Sequence, residues 1–425
     1  MEAIIKKTSD VFGITRDIPL NYTTRESADA ALIDNLTRDK HIVIYGSSKQ
    51  GKTCLRKHSL DDNDYITIHC SNKYGIGDLN ASILKMAGYQ TEQSSTKTVS
   101  GKNKIVAKIK IGLLGAQAAG GGEAQNETTN AITSAPLELD PDDVNDIIMA
   151  LRKINFSKYI VLEDFHYLPI ETQKDFAVAL KAFHEASSLC FIIIGVWLEE
   201  NRLTVYNGDL TGRLIAIDAD KWSKIELKQV IMTGETLLNI KFSDQFRDEL
   251  LANCFDSVHI VQEACYRCCI SGGIHSTRRQ METIGIEIHA KDVIRDIVNQ
   301  NTGRYHSFLA QFADGFQDTS LQMYKWLLYP VITSETSELT KGLRWSYMRS
   351  KLRDHHPEGA SLNPGNITQS LQASAALQVK KEIKPIILDY DQTNQRLRVV
   401  DRSFLIWLDH QNRNDILSLI DLPID

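Results

Sequence analysis

The sequence predicts an α/β protein in which a parallel β-sheet flanked by helices is followed by a helical region and a small C-terminal domain. Three observations support this. Short apolar runs alternate with helical patterns over roughly the first 220 residues, helical periodicity dominates residues 222–300, and three helical patterns precede two short strands after residue 318. Alternation of strands with helices is typical of a sheet covered by helices on its faces.

The composition is that of a soluble globular protein. Of the 425 residues, 42% are hydrophobic and 24% are charged, which excludes wholesale disorder, a collagen-like repeat and a disulfide scaffold. The net charge of −6 is mild, so any nucleic-acid site would have to be local. No run of eighteen apolar residues or signal-peptide core is present, so we expect no membrane span and seven reduced cysteines in the cytoplasm.

The first half of the chain supplies the predicted parallel sheet. His41–Tyr45 is a short apolar run rich in β-branched residues, which is typical of a buried parallel strand. A short helix is expected soon after it, at Lys52–Ser59. The further elements that the same patterns predict are a strand at Tyr65–Cys70, a helix at Ile76–Tyr89, a strand at Tyr159–Leu162, a helix at Glu171–Ser187 and a strand at Leu189–Val196.

Residues 90–139 interrupt this alternation and are interpreted as an insertion. Lys104–Ile111 alternates apolar and basic residues, which predicts a half-buried strand, whereas Gly115–Asn126 is rich in Gly and Ala and is expected to be mobile. The insertion is either a surface hairpin with a flexible tip or a contact with a partner. Asp140 and Pro141 then predict the N-cap and first position of a helix that ends near Lys153.

The second half is predicted to be mainly helical before it ends in a hairpin. The helical patterns are Trp222–Ile240, Ser243–Cys254 and Val258–Cys269, and then Leu321–Leu328, Leu343–Arg353 and Ile367–Lys381, followed by strands at Pro385–Leu388 and Leu397–Val400. Three helices and a hairpin indicate a winged helix-turn-helix. The predicted domains are therefore residues 1–221, which hold the predicted sheet, residues 222–317, which are mainly helical, and a winged-helix-like domain at 318–425.

The strongest motif is Gly46-Ser47-Ser48-Lys49-Gln50-Gly51-Lys52-Thr53, which satisfies the pattern G-x-x-x-x-G-K-[ST] between a buried strand and a helix. The glycines let backbone N–H groups curl around phosphate oxygens, and the helix N-terminus adds a favourable dipole. Lys52 would neutralise phosphate charge, and the Thr53 hydroxyl would coordinate Mg²⁺. The predicted nucleotide-binding residues are these eight together with Cys54.

The third predicted strand ends in two adjacent carboxylates, Glu163 and Asp164. A phosphate site needs one carboxylate to hold Mg²⁺ and another group to orient or deprotonate the attacking water. By position we assign the metal to Glu163 and the water to Asp164. An Asp-first order is more usual, so the reverse assignment stays open and turnover is expected to be slow.

These motifs resemble those of the AAA+/STAND superfamily of P-loop ATPases, in particular the branch shared by origin-recognition initiators and signalling STAND proteins. The resemblance rests on GSSKQGKT at 46–53 and YIVLEDFHYL at 159–168. It implies hydrolysis of ATP with Mg²⁺ and a homo-oligomer on ATP binding. It also implies that Tyr22 and Arg25 lie near adenine and that Arg213 reaches a neighbour's γ-phosphate, although a solvated or salt-bridged Arg213 is the alternative.

The resemblance also draws attention to departures from the family pattern. A polar γ-phosphate sensor is expected at the end of the fourth strand, where Val196 and Trp197 stand; Asn201 is the nearest substitute. By this resemblance, residues 1–221 are the P-loop ATPase domain and residues 222–317 are the helical lid. The lid lacks the usual Arg, so its nucleotide contact is expected to be apolar or through His259.

A basic cluster lies in the predicted winged helix. It consists of Lys341, Arg344, Arg349, Lys351 and Arg353, with no acidic residue among them. Such a cluster can contact a phosphate backbone. The alternatives are a solvated basic helix and a winged helix that docks on protein.

We therefore predict an ATP-driven molecular switch whose nucleotide state controls assembly with itself or with a separate effector protein. The resemblance to STAND proteins suggests a setting in bacterial antiviral defence, by analogy only. The alternative hypothesis is an ATP-dependent DNA-binding initiator, loader or transposition regulator that uses the C-terminal domain. A regulatory nucleotide binder with negligible turnover is a third possibility.

Overall fold

The computed structural model describes residues 5–92, 105–109, 136–317 and 319–424. In chain order, its strands are β1 (His41–Gly46), β2 (Tyr65–His69), β3 (Tyr89–Glu92), β4 (Ile105–Ile109), β5 (Pro136–Leu139), β6 (Tyr159–Glu163), β7 (Phe191–Val196), β8 (Leu214–Asp218), β9 (Ile240–Phe242), β10 (Glu282–Ile284), β11 (Leu343–Arg344), β12 (Leu388–Asp391) and β13 (Arg396–Val399). Across these ranges, none of the helices has the length and apolar character needed to cross a membrane.

The α-helices follow the same chain order. They are α1 (Thr8–Val11), α2 (Ala31–Leu36), α3 (Lys52–Ser59), α4 (Ile76–Met86), α5 (Val144–Lys153), α6 (Ile170–Ala186), α7 (Arg202–Tyr206), α8 (Lys224–Leu238), α9 (Asp244–Asn253), α10 (Val258–Ser271), α11 (Ala290–Asn299), α12 (Thr302–Ala313), α13 (Met323–Thr333), α14 (Thr336–Lys341), α15 (Trp345–His355), α16 (Pro364–Gln372), α17 (Ser374–Lys380), α18 (Arg402–Asp409) and α19 (Arg413–Leu419).

The predicted parallel sheet is confirmed. Its five strands lie in the order β2-β6-β7-β1-β8, and every neighbouring pair is parallel. Because all carboxyl ends meet at one edge, the turn after β1 and the turn after β6 face the same space. That edge is where ligands bind in open α/β sheets.

Helices cover both faces of this sheet, which explains why β1 is buried along its whole length. Ile42 and Ile44 belong to the core shared with Leu32 of α2 and Leu55 of α3. Val43 and Tyr45 of the same strand belong to the opposite core, with α4, α5 and α6. Alternate side chains of a strand point to opposite faces, so burial on both sides requires a continuous apolar run.

The inserted segment contributes a small antiparallel sheet in the order β3-β4-β5. The strand predicted at Lys104–Ile111 is observed as Ile105–Ile109. The segment Gly115–Asn126 lies outside the described residues. The helix predicted from Asp140 is wrong at its start: α5 begins at Val144, because the Asp143 carboxylate caps it by accepting the N–H of Asn145 at 2.9 Å.

The helices predicted after residue 222 are observed with shifts of a few residues, and Ser223, Ser243 and Ser257 cap α8, α9 and α10. They share one apolar core with the C-terminal elements. The C-terminal part contains a three-stranded antiparallel sheet in the order β11-β13-β12, preceded by helices. The predicted winged-helix architecture is therefore confirmed.

Three further predictions in the C-terminal part differ from the structure. Leu343 and Arg344 form strand β11 rather than the start of a helix, because they pair with β13 and follow Gly342, whose φ of 79° ends the preceding helix. The helix predicted at Ile367–Lys381 is divided into α16 and α17. The strand predicted at Pro385–Leu388 starts only at Leu388, although the carbonyl oxygen of Ile387 already accepts the N–H of Val400 at 2.8 Å.

Candidate functional site

A cleft of about 560 Å³ opens at the carboxyl edge of the sheet. It is lined by the N-terminal segment before β1, by the turn after β1, by Asp164 after β6 and by the lid helices α8 and α10. Its size suits a nucleotide-sized ligand. The predicted residues Ser48–Cys54 line this cleft, whereas Gly46 and Ser47 lie beneath it.

The turn after β1 depends on its two glycines. Gly46 has a φ of 149° and Gly51 a φ of 81°, both in the region that favours glycine. A Cβ on Gly46 would lie 2.9 Å from the backbone nitrogen of Asp220, so this position also requires the absence of a side chain. The chain therefore turns sharply and starts α3 with its N-terminal N–H groups facing the cleft.

Lys52 lies at the first position of α3 and is buried. Its ammonium donates to the carbonyl oxygens of Gly46 at 3.0 Å and Ser47 at 2.5 Å. Burial lowers the pKa of Lys52 to about 8, partly opposed by the neighbouring carboxylates of Asp220 and Asp164. The backbone of its own loop thus accepts two of the three N–H groups of the ammonium, and a phosphate would compete with these carbonyl oxygens for it.

The floor of the loop is tied to a buried ion pair. The N–H of Ser47 donates to Asp220 at 2.8 Å, and Arg402 donates to the other carboxylate oxygen at 2.5 Å. Burial favours the neutral form of Asp220, but Arg402 and the Ser47 bonds outweigh it and lower the pKa of that carboxyl. Arg402 also donates to the carbonyl oxygen of Phe255 in the lid, at 2.7 Å.

A second bond joins the loop directly to the C-terminal domain. The N–H of Ser48 donates to the carbonyl oxygen of Val400 at 2.9 Å, directly before α18. Val400 and Val379 also pack against Val196 at the end of β7. The phosphate loop is therefore bonded directly to the C-terminal domain, and Asp220 and Arg402 link it to the lid.

The two carboxylates after β6 have different surroundings. Glu163 is buried and accepts from Arg56 of α3 at 3.1 Å, whereas Asp164 lines the cleft with Lys52 and Thr53. Asp164 has a positive φ of 59°, which turns the chain after the strand. Burial raises the pKa of both carboxyls, opposed chiefly by Arg56 at Glu163 and by His69 and Lys52 at Asp164. Arg56 occupies one oxygen of the Glu163 carboxylate, whereas Asp164 lies on the cleft; the assignment of the metal to Glu163 stays a prediction, and the geometry favours the reverse assignment.

Of the two residues predicted near adenine, one lines the cleft and the other is buried behind its lining. Tyr22 lines the cleft; its hydroxyl donates to Asp29 at 2.6 Å, and its ring lies 4.5 Å from that of His58. Arg25 is fully buried, with its guanidinium over the ring of Trp222 and bonded to a backbone carbonyl oxygen. Arg25 therefore supports the wall of the cleft from behind and is not on its described lining.

The lid meets the loop through Lys49 and Gln50. Burial lowers the pKa of His259 to about 3, with Lys49 adding to the effect, so its neutral Nε2 accepts from the Lys49 ammonium at 3.2 Å. The Gln50 side chain donates to the carbonyl oxygen of Asp256 and accepts from the N–H of Val258. His259 lines the cleft together with the apolar Val230 and Val258, so a nucleotide contact from the lid, apolar or through His259, stays a prediction.

A polar γ-phosphate sensor was expected at the end of β7, where Val196 and Trp197 stand. Among the described residues, no polar side chain takes its place there. The Trp197 ring is buried and fills the space beside Gly195, where a Cβ would lie 1.6 Å from a ring carbon. Asn201 lines a different cavity. Instead, Nδ1 of buried His166 accepts the N–H of Val196 at 3.3 Å, and burial holds the pKa of His166 well below its usual value.

Arg213 lies at the opposite edge of the sheet, directly before β8. It donates to the carboxylate of Glu185 at 2.7 Å and to the carbonyl oxygen of Asp209. The structure therefore shows the salt-bridged Arg213 that the sequence left as an alternative. A contact with a neighbouring subunit's nucleotide remains a prediction.

Asp220, Val400 and Arg402 are among the residues of the site that the sequence did not reveal. Each is separated from the loop by more than 160 positions, and none belongs to a local motif. No signal in a single sequence pairs a strand-end aspartate with an arginine near the C-terminus.

No protein-family profile and no curated protein sequence matches this chain. Solved structures do match over nearly the full length of both chains. A Walker-type ATPase of Pyrococcus abyssi is 12% identical, with a TM-score of 0.54 over 94% of this chain and 99% of that chain. The Orc1 protein of Aeropyrum pernix in complex with DNA (9% identity, TM-score 0.44, 98% of each chain) and Cdc6p of Pyrobaculum aerophilum (11%, 0.40, 99% of each) are also similar. The protein thus has the fold of a P-loop ATPase with a C-terminal winged helix.

Proposed function

We propose that this protein binds ATP with Mg²⁺, hydrolyses it slowly, and uses the occupancy of the phosphate loop to set the position of its C-terminal domain. The observation that carries this proposal is the pair of bonds from Ser47 and Ser48 to Asp220 and Val400. A phosphate that draws Lys52 away from the carbonyl oxygens of Gly46 and Ser47 must reshape the backbone at these two bonds. Ligand and domain position then become linked equilibria.

The residues on the cleft fit a magnesium ion bound with a nucleotide. Thr53 and Asp164 would hold it, because a hydroxyl and a carboxylate lie on the same lining as the Lys52 ammonium. When bound, the ion would neutralise the charge that accumulates on phosphate oxygens. The Lys52 ammonium and the N-terminal N–H groups of α3 would orient the phosphates.

The hydrolytic step has weak support from the chain's own groups. Asp164 is the carboxylate of the cleft lining that lies near Lys52, and Val196 and Trp197 stand at the end of β7, where a polar side chain was expected. With one carboxylate beside Lys52 and, among the described residues, no polar sensor at the end of β7, the site is expected to turn over slowly. We infer that the bound nucleotide has a long lifetime, as suits a switch.

Hydrogen exchange tests the coupling. We expect saturating ATP with Mg²⁺ to change the exchange protection of residues 385–402 as well as that of the loop. The Lys52→Ala variant should show neither change. Unchanged protection at 385–402 in a wild-type protein that calorimetry shows to be saturated would overturn the switch.

Assembly is the readout that the switch would control. Arg213 would act only on the nucleotide of a second copy, because it lies at the far end of the sheet from its own loop. The partner is either a further copy or a separate effector protein, and the setting in antiviral defence stays a prediction from resemblance. Sedimentation with and without ATP, in wild type and Arg213→Ala, measures self-assembly.

DNA binding is the second candidate function, and the surface of α15 favours it. Arg344, Arg349 and Arg353 are exposed, although Arg353 is paired with Asp354 and Arg349 lies over the Trp345 ring. The Orc1 protein of Aeropyrum pernix is seen in complex with DNA, and this is a property of that protein. ATP-dependent duplex binding that falls steeply with salt, and is lost in Arg349→Glu/Arg353→Glu, would favour this function.

A further inference from the structure

The segment after β7, in the P-loop domain, is bonded to the hairpin of β12 and β13 in the C-terminal domain. One oxygen of the Glu199 carboxylate accepts both the backbone N–H of Thr393, at 3.1 Å, and its hydroxyl, at 2.7 Å. Arg202, at the start of α7, donates to the carboxylate of Asp389 in β12 at 2.5 Å. We call these four residues the wing latch. Neither the motifs nor the proposed function uses any of them.

The charges of the wing latch are buried between the two domains. The side chains of Glu199, Arg202 and Asp389 are only 3%, 8% and 3% exposed, and Arg202 Nε lies 3.6 Å from the second oxygen of Glu199. One guanidinium thus serves two carboxylates. Removing ions from water carries a cost that their mutual attraction has to offset. Because these charges regain water when the two surfaces separate, the contact can open without leaving a buried ion unpaired.

The wing latch lies next to the position where a γ-phosphate sensor was expected. The Trp197 ring, directly after β7, is fully buried, and the guanidinium carbon of Arg202 lies 5.0 Å from its centre. Val196, one residue earlier, packs against Val400 of the C-terminal domain and is aligned with Gly46 at the end of β1. The end of β7 therefore supports the docked C-terminal domain, one strand away from the phosphate loop.

The apolar cores indicate which parts of the chain stay together when this contact opens. The lid and the C-terminal domain share one core, in which the Tyr305 ring of α12 packs against Phe404 and Trp407 of α18. Where the P-loop domain meets the C-terminal domain, the apolar contact includes the small cluster of Val196, Val379, Ile386 and Val400. Separation there exposes less apolar surface than division of the shared core, so the lid and the C-terminal domain should move as one body.

The docked arrangement occupies a donor that a phosphate needs. The N–H of Ser48, in the phosphate loop, donates to the carbonyl oxygen of Val400 in the C-terminal domain. Backbone N–H groups of such a loop bind phosphate oxygens when a nucleotide is present. A phosphate that takes up the Ser48 N–H therefore competes with Val400 and favours separation of the two domains. Because linkage is reciprocal, any contact that holds the domains together weakens the binding of ATP.

We propose that the wing latch is an autoinhibitory contact, which holds the lid and the C-terminal domain as one body against the P-loop domain and so opposes the binding of ATP; this rests on the proposed function. None of its four residues belongs to the described lining of the cleft. A substitution in the wing latch therefore acts on ATP affinity through the position of the domains, and it acts in the direction of tighter binding.

The experiment measures the affinity of the full chain for ATP with Mg²⁺ by calorimetry. Glu199→Ala removes both bonds to Thr393 while Arg202 keeps Asp389, and it should raise the affinity by about fivefold or more. Thr393→Val removes only the hydroxyl bond, at an exposed turn position, and should raise the affinity by about threefold. Glu200→Ala, at the exposed neighbour of Glu199, is the matched control and should keep the wild-type affinity.

Hydrogen exchange without nucleotide shows whether the hairpin is released. In Glu199→Ala, residues 388–396 should exchange about fivefold faster than in the wild type, whereas Glu200→Ala should cause no change. Faster exchange with an unchanged or weaker affinity for ATP would make the contact purely structural and overturn the autoinhibition. Unchanged exchange would show that the wing latch does not hold the hairpin. If Glu199→Ala lowers the thermal unfolding temperature of the whole chain, Thr393→Val decides, because its side chain is exposed.

Failure of the wing latch and failure of the proposed function give different results. A wild type that binds ATP without any response at residues 385–402 would overturn the switch itself. A wild type that responds at these residues, with the same ATP affinity in Glu199→Ala, would overturn the wing latch and leave the switch standing.

Discussion

The phosphate loop and the buried ion pair beneath it, Asp220 with Arg402, are built in different ways. The loop is eight consecutive residues between a strand and a helix, and its shape follows from Gly46, Gly51 and the start of α3. Folding brings Asp220 and Arg402 to that loop from positions far along the chain. The contiguous motif supplies the predicted phosphate contacts, whereas the distant pair joins the loop to the C-terminal domain and to the lid.

The largest expected effect is on the phosphate loop, the region built from consecutive residues. Lys52→Ala should weaken ATP binding by about a hundredfold or more, because it removes the cation buried in the cradle. Calorimetry measures it, and Lys57→Ala on the same helix is the control. An unchanged affinity would refute the site itself.

Exchanging the two carboxylates sharpens the comparison within the site. Asp164→Asn should slow hydrolysis by about a hundredfold while ATP stays bound, because Asp164 is the carboxylate of the cleft lining that lies near Lys52. Glu163→Gln should instead lower the free energy of unfolding by about 3 kcal/mol, because it leaves Arg56 buried without its partner. Steady-state hydrolysis and chemical denaturation separate the two. Loss of hydrolysis in Glu163→Gln alone, at full stability, would reverse the roles.

The distant half of the comparison is tested at Arg402. Arg402→Gln should lower the free energy of unfolding at pH 7 by about 2 kcal/mol, because Asp220 stays buried without its cation. It should also reduce the response of residues 385–402 to ATP in hydrogen exchange. If stability falls but the response stays at the wild-type level, the ion pair is structural and does not couple the loop to the C-terminal domain.

The smallest expected effect is the pH dependence of the difference in unfolding free energy between wild type and Arg402→Gln. The pKa of Asp220 is lowered in the folded protein, so its contribution is present above the unfolded pKa of about 3.9 and is lost as pH falls through the folded value. The gap between wild type and Arg402→Gln should therefore narrow below about pH 4. A gap that is constant from pH 7 to 3 would show that Asp220 is not its cause.

Much of the fold could be predicted because its signals are local. The run His41–Tyr45 is apolar on both faces, which only a covered sheet explains. The N-cap at Asp143 was missed because Asp140, Asp142 and Asp143 are all competent caps, and tertiary packing chooses among them. The strand at Leu343 was missed because its partner β13 lies more than 50 residues away.

The sequence by itself determined the phosphate loop, since a motif of eight neighbours carries its geometry in its own glycines and helix start. Only the tertiary structure decided that Asp164 rather than Glu163 faces the cleft, because Arg56 of another element takes up the Glu163 carboxylate. The same holds for Glu199 and Thr393, which meet across 194 positions. Side-chain partners set chemical roles, and folding sets the partners.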